Sequence, residues 1–204
     1  MLSQKDQRRL TAYLMQQQEK EPAKRRLRNL GVLICLQTGL RIGELCGLRW
    51  EDVNLAQGLL HVRRTVSRVY YKDGAERKYE LLVDSPKTPS AIRDIPIAGA
   101  LLRDIRPMAG PPGTYVLSGG PAPLEPRTMR EHYYRLLRRL GMGRIRFHGL
   151  RHSFATRCVE TGCDYKTISA ILGHASISTT MDLYVHPGID QKRRCIEKMM
   201  RGVG

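Results

Sequence analysis

The chain is short of acid. Its 204 residues carry 19 Asp and Glu against 35 Lys and Arg, a formal net charge of +16. A surplus of that size points to a polyanionic partner, and nucleic acid is the commonest one. An anionic membrane surface is the alternative, but long apolar runs are missing too. The longest, Gly31-Val32-Leu33-Ile34-Cys35-Leu36, falls far short of the ~20 residues needed to cross a bilayer. The N-terminus, Met1 to Asp6, lacks the apolar stretch of a secretory signal. Cysteine is sparse and unpaired in pattern: Cys35, Cys46, Cys158, Cys163 and Cys195 are an odd number with no CxxC spacing. That disfavours a disulfide framework and fits a reducing cytoplasm.

What is present reads as helices, then strands, then helices again. Ser3-x-x-Asp6 predicts a capped first helix running toward Glu19. Pro22 opens a second, with Leu27, Leu30, Leu33, Ile34 and Gln37 at helical spacing and Gly39 as its stop. A short helix follows from Ile42 to Leu48. Leu60, Val62, Val66 and Val69 then suggest a β stretch, Asp73-Gly74 a hairpin turn, and Tyr79 to Val83 a return strand. Ile92 to Ile97 offers a further strand. Helices are expected near Leu101 and from Arg127 to Leu140, separated by a loop rich in Pro and Gly from Gly110 to Pro126. Three shorter helices are punctuated by Gly143, Gly162, Gly173 and Pro187.

Three segments carry residues suited to an anionic substrate. In Thr38-Gly39-Leu40-Arg41-Ile42-Gly43-Glu44, Arg41 sits at a helix entrance where a guanidinium and free backbone donors can face a phosphate. Glu44 lies one turn on, and a solvated Arg–Glu helix pair is the plainer reading. In His148-Gly149-Leu150-Arg151-His152, positions 148, 151 and 152 share a helix face. A zinc site at His148 and His152 lacks both an adjacent acidic base and a nearby third ligand in sequence. The third segment, Leu172-Gly173-His174 followed by Tyr184, would by itself be an ordinary packing stretch.

Arg41, a strand-borne Lys87, His148-x-x-Arg151, Leu172-Gly173-His174 and Tyr184, in that order, resemble the active-site series of the tyrosine recombinases. That family includes phage and conjugative-transposon integrases and shorter DNA invertases. The likeness runs from Leu2 to the final helix and is densest in TGLRIGELCGLRW and HGLRHSFATR. It implies an α+β fold, mostly helical, with a small three-stranded antiparallel sheet, and one catalytic domain over 1–204 without the N-terminal core-binding domain that most integrases carry. It implies DNA cleavage and rejoining through a 3′-phosphotyrosyl link, with Tyr184 as nucleophile and no metal, ATP or other cofactor. Arg41 and Arg151 would clamp the phosphate oxygens, His148 and His174 would add hydrogen bonds, and His148 would accept the tyrosine proton. Glu44 would orient Arg41. Lys87, in Ser85-Pro86-Lys87-Thr88, matches the family's general acid, with Lys72 and Lys78 on the preceding hairpin as competitors.

The expected partner is double-stranded DNA, bound by a homotetramer across two sites through an amphipathic helix at Gln191 to Arg201, or with that helix folded back on its own domain. The cytoplasm of a bacterium is the expected setting, with a phage or mobile element as source. Basic clusters at Lys24-Arg25-Arg26 and Arg135 to Arg146 would follow the DNA backbone. A type IB topoisomerase and a regulator that keeps the fold without the catalysis are the rival readings.

Overall fold

The most apolar segment of the chain takes the centre of the molecule. The computed structural model describes residues 1–17, 21–73, 76–86, 88–174 and 176, with a few isolated positions from 189 to 200. In it, helix α2 (Ala23–Thr38) buries every residue from Asn29 to Leu36. A helix apolar on all sides needs neighbours all round. These are α1 (Gln4–Gln16), α4 (Gly99–Ile105), α5 (Pro126–Arg139) and α6 (His148–Glu160). Leu30, Leu33 and Ile34 are fully buried, each contributing about 1.5–3 kcal/mol. One helical glycine has a steric reason: a Cβ at Gly31 would lie 2.5 Å from Leu117 Cδ2.

Leu117 belongs to the Pro- and Gly-rich loop, whose middle is not a solvent loop. Tyr115, Val116 and Leu117 are buried. Val116 donates its N–H to Leu48 O at 3.0 Å, and Trp50 donates to Thr114 O at 3.0 Å. The loop's backbone polar groups are thus paired as burial demands. At the N-terminus, Asp6 N–H donates to Ser3 Oγ at 3.0 Å and caps α1, as the sequence predicts. Glu19, where that helix was expected to end, lies outside the described residues.

The strands divide differently from the simplest reading. The three-stranded antiparallel sheet is present, in the order β1 (Val53–Asn54), β2 (Leu59–Val62), β5 (Arg93–Pro96). The hairpin β3 (Thr65–Asp73) with β4 (Glu76–Asp84) forms its own two-stranded ladder. The expected stretch from Leu60 to Val69 is therefore two strands, broken at Arg63 and Arg64. Arg64 donates to Asp52 Oδ2 at 2.6 Å and to Glu51 Oε1 at 2.8 Å. Its backbone also presses on α3 (Ile42–Gly47), where a Cβ at Gly47 would meet Arg64 O at 3.0 Å. These contacts turn the chain out of the first sheet. The ladder closes with Asp73 opposite Glu76; of the turn expected at Asp73-Gly74, Gly74 lies outside the described residues.

Helix α7 (Tyr165–Leu172) is capped by Asp164, whose Oδ1 accepts from Thr167 N–H at 2.8 Å. It packs on α6 through a separate small core of Ala155, Val159, Ile168 and Leu172. The third short helix, expected after Gly173, and the C-terminal helix lie outside the described residues apart from isolated positions. Among the described residues no helix is long and apolar enough to cross a membrane.

Candidate active site

Two helices stop at left-handed glycines, and their ends meet. Gly39 (φ 67°) terminates α2 and Gly173 (φ 65°) terminates α7. That backbone region is strained for any residue with a Cβ. At Gly39 a Cβ would also run into Leu172 Cδ2 and Phe154 Cδ1, each at 2.7 Å. Helix C-termini leave carbonyls without intrahelical partners and carry partial negative charge. Arg151, on the first turn of α6 and 3% exposed, lies between them. Its Nη1 donates to Gly39 O at 2.9 Å and its Nη2 to Leu172 O at 2.7 Å. These two bonds orient the guanidinium without neutralising it.

Arg41 stands two residues beyond Gly39, as the N-cap of α3. Its backbone N–H donates to Glu44 Oε2 at 2.9 Å and its Nη1 to Glu44 Oε1 at 2.8 Å. The plain reading of a solvated helix pair fails here, because Glu44 is only 4% exposed. A second arginine explains how that carboxylate is buried. Arg93 Nη2 donates to Glu44 Oε2 at 2.9 Å and its Nη1 to Oε1 at 3.2 Å. Arg93 also donates to Ile171 O from Nε at 2.6 Å and to Ala91 O from Nη1 at 2.9 Å. Burial alone would raise the Glu44 pKa, but the hydrogen bonds and charges of Arg93 and Arg41 hold it below the usual carboxylate value.

Arg93 is the site residue that sequence reasoning missed. Its signal was nonetheless present. Side chains alternate along a strand, and Arg93 shares a face of β5 with buried Ile95 while Asp94 and Pro96 are exposed. A charge on the apolar face of a short strand requires an acid buried beneath it.

The histidines complete the cluster. His174, next to Gly173, has its pKa pushed down to about 4, by burial first and then by the charges of Arg151, Arg41, Arg93 and His148. His148, at the start of α6, is shifted downward by partial desolvation and by His152, Arg151 and Arg41. The rings of His148 and His152 meet edge-on at 4.5 Å. Among the described residues no three His, Cys, Asp or Glu side chains gather to hold a metal, so the His148–His152 pair finds no third ligand there.

The structure therefore brings together Arg41, Glu44, His148, Arg151 and His174 from three segments, and adds Arg93 from a fourth. Three guanidiniums, two of them bonded to the one carboxylate, leave a surplus of positive charge suited to an anion. Beside Arg41 opens a cleft of about 530 Å³, walled by the base of the hairpin (Thr65, Ser67, Leu82) and by Ser85, Pro86 and Thr88. Lys87 and Tyr184 themselves lie outside the described residues. Lys72 and Lys78 lie far along the hairpin ladder, Lys72 being roughly 23 Å of strand from Thr65.

Part of the other basic clusters meets on a separate face. Arg25 and Arg28 on α2 surround His132 together with Arg135 on α5, and burial and their charges push its pKa down to about 4. His132 is 3% exposed and bonds Asn29 Oδ1 through Nε2 at 2.8 Å. This face is at the opposite end of α2 from Gly39, roughly 20 Å along the helix.

Residues 2–189 match the model of the phage integrase family. A tyrosine recombinase XerC-like protein of Caldanaerobacter subterraneus subsp. tengcongensis is 32% identical over 185 residues, covering 82% of this chain and 47% of that protein. Tyrosine recombinase XerA of Pyrococcus furiosus is 33% identical over 177 residues, covering 82% of this chain and 52% of its own length. The chain thus spans about half the length of these relatives. Among solved structures, the Tn1549 transposon integrase in complex with circular intermediate DNA superposes with a TM-score of 0.74 at 24% identity, over 97% of this chain and 66% of that one. XerA recombinase gives 0.64 at 21% identity, over 97% and 62%. With a family model matched over nearly its whole length, this chain belongs to the phage integrase family.

Proposed function

We propose that this chain is the catalytic domain of a tyrosine recombinase that performs site-specific recombination by cleaving and rejoining duplex DNA. The observation that carries the reading is the clustering of Arg41, Arg151, His148 and His174 where the ends of α2 and α7 meet. Family membership supports it, as does the fold shared with an integrase solved in complex with DNA.

Tyr184 Oη attacks the scissile phosphorus, forming a 3′-phosphotyrosyl ester while the 5′-oxygen leaves. The ester conserves the bond energy, so rejoining by a 5′-hydroxyl needs no ATP. Arg41 and Arg151 bind the non-bridging oxygens, whose charge is greatest in the pentacoordinate transition state. Arginine suits both places because it stays charged and offers forked donors. His148, with its depressed pKa, is neutral at pH 7 and accepts the tyrosine proton. His174, likewise neutral, donates one N–H to a phosphate oxygen. Lys87 protonates the leaving oxygen. Its neighbours Pro86 and Thr88 line the Arg41 cleft, whereas Lys72 and Lys78 are too distant. The DNA partner, a tetramer joined through the C-terminal helix, and a cytoplasmic setting complete the reading.

Two supercoiled or linear duplexes carrying a recognised site test it. Joining of two molecules, lost in Tyr184→Phe, is the expected result. Relaxation of single plasmids without exchange would assign a topoisomerase instead, and binding without either reaction would assign a regulator.

A further inference from the structure

The turn between α6 and α7 places two thiols side by side. Cys163 N–H donates to Cys158 O at 2.9 Å and Gly162 N–H to Val159 O at 3.0 Å, with Gly162 at φ 83°. This crossed pair of bonds around a left-handed glycine is the Schellman ending of a helix. That motif commonly brings the side chains at the positions of Cys158 and Cys163 together. Cys163 is near enough to Cys158 to help raise its pKa, and Thr161 Oγ1 lies 3.8 Å from Cys163 Sγ. Cys163 is exposed and Cys158 half-buried, whereas Cys35 and Cys46 are sealed in the core. The spacing of five residues hid the pair in the sequence; the glycine turn creates it.

We propose that Cys158 and Cys163 form a reversible dithiol–disulfide couple, oxidised by low-molecular-weight disulfides. The exposed Cys163 thiolate attacks a small disulfide, forming a mixed disulfide and expelling one thiol. Cys158 then loses its proton and attacks the Cys163 sulfur, forming the internal bond and expelling the second thiol. Two protein thiols are oxidised, one small disulfide is reduced to two thiols, and the protons pass to the leaving thiolates. Burial, then the neighbouring Cys163, pushes the Cys158 thiol up to about 11, which makes the first attack by Cys163 the faster one. The bond would staple the turn that joins Arg151 on α6 to Leu172 at the end of α7, the two helices that share the small separate core.

Trypsin reports the couple directly, because Arg157 and Lys166 flank both cysteines with no Lys or Arg between them. The full chain is reduced, exposed to oxidised glutathione, alkylated and digested. The expected product is a peptide spanning Cys158 to Lys166 that has escaped alkylation and is ~2 Da lighter than the dithiol. Added dithiothreitol should restore the dithiol, and Cys163→Ser should abolish the species. A peptide alkylated at both cysteines, or one holding glutathione as its stable product, would overturn the proposal. The assay reads thiol chemistry alone, so its outcome is independent of whether the chain cleaves DNA.

Discussion

Arg93 and Glu44 are joined along both edges of guanidinium and carboxylate, at 2.9 and 3.2 Å, with side chains 6% and 4% exposed. Arg41 is bonded to the same carboxylate through its backbone and its side chain. Arg93 is thus a positioning residue: it fixes Glu44, which fixes Arg41.

Arg93→Lys keeps the charge but loses the fork. Single-turnover cleavage should slow by about tenfold to a hundredfold, since small misplacements of a clamp have effects of that size. DNA affinity, set mainly by total charge, should stay nearly constant. An equal loss in affinity and rate would instead mark Arg93 as a plain DNA contact. Arg93→Ala should unfold more readily, by about 3–5 kcal/mol, because it strands a buried carboxylate.

Arg41 and Arg151 should fail differently. Arg41 has a side chain 40% exposed, so Arg41→Ala should retain most of its thermal stability while cleavage drops by about 10²–10³-fold. Arg151→Ala should lose cleavage and stability together, because Gly39 O and Leu172 O lose their buried donor; each such orphan costs about 1–3 kcal/mol. Thermal melts beside cleavage rates check the contrast.

The helices were legible in the sequence because their signals are local: Ser3 and Asp6 for a cap, Gly39 and Gly173 for stops, apolar spacing for α2. The candidate site was legible as an ordered series of residue types. The break at Arg64 was not, since it depends on Asp52 and Glu51 reaching across from an earlier turn. Nor was the role of Arg93, whose partner is 49 residues away. The buried middle of the Pro-rich loop escaped for the same reason: Leu48, Trp50 and Gly31 receive it, and no short window contains them.

Stability should depend on pH through His132. Its pKa is about 4 in the folded chain and 6.5 in the reference state. Above pH 6.5 neither state holds the proton, so this group adds no pH dependence. Between pH 6.5 and 4 the unfolded chain takes up the proton first, and stability falls by about 3 kcal/mol from this group. Denaturant titrations across that window should show the slope, and His132→Gln should flatten it. A slope unchanged in the mutant would contradict the assignment.

Gly173→Ala tests the meeting of the two helix ends. Beyond the strain of its positive φ, a Cβ there would lie 2.9 Å from Ser90 O and 3.0 Å from Arg93 Nη1. The substitution should cost more than about 1 kcal/mol and reduce cleavage beyond what that loss explains, because Arg93 and His174 both move. Comparison with Gly141→Ala, at a left-handed glycine whose Cβ would meet nothing within 4 Å, separates backbone strain from crowding at the site.

The most direct test of the central claim is covalent capture on a nicked duplex, followed by mapping of the adduct. Trypsin should release Thr167 to Lys192 as one peptide, whose single tyrosine is Tyr184. A nucleotide-bearing form of that peptide is expected from the wild-type chain and none from Tyr184→Phe. An adduct on any other peptide, or one that persists in Tyr184→Phe, would contradict it.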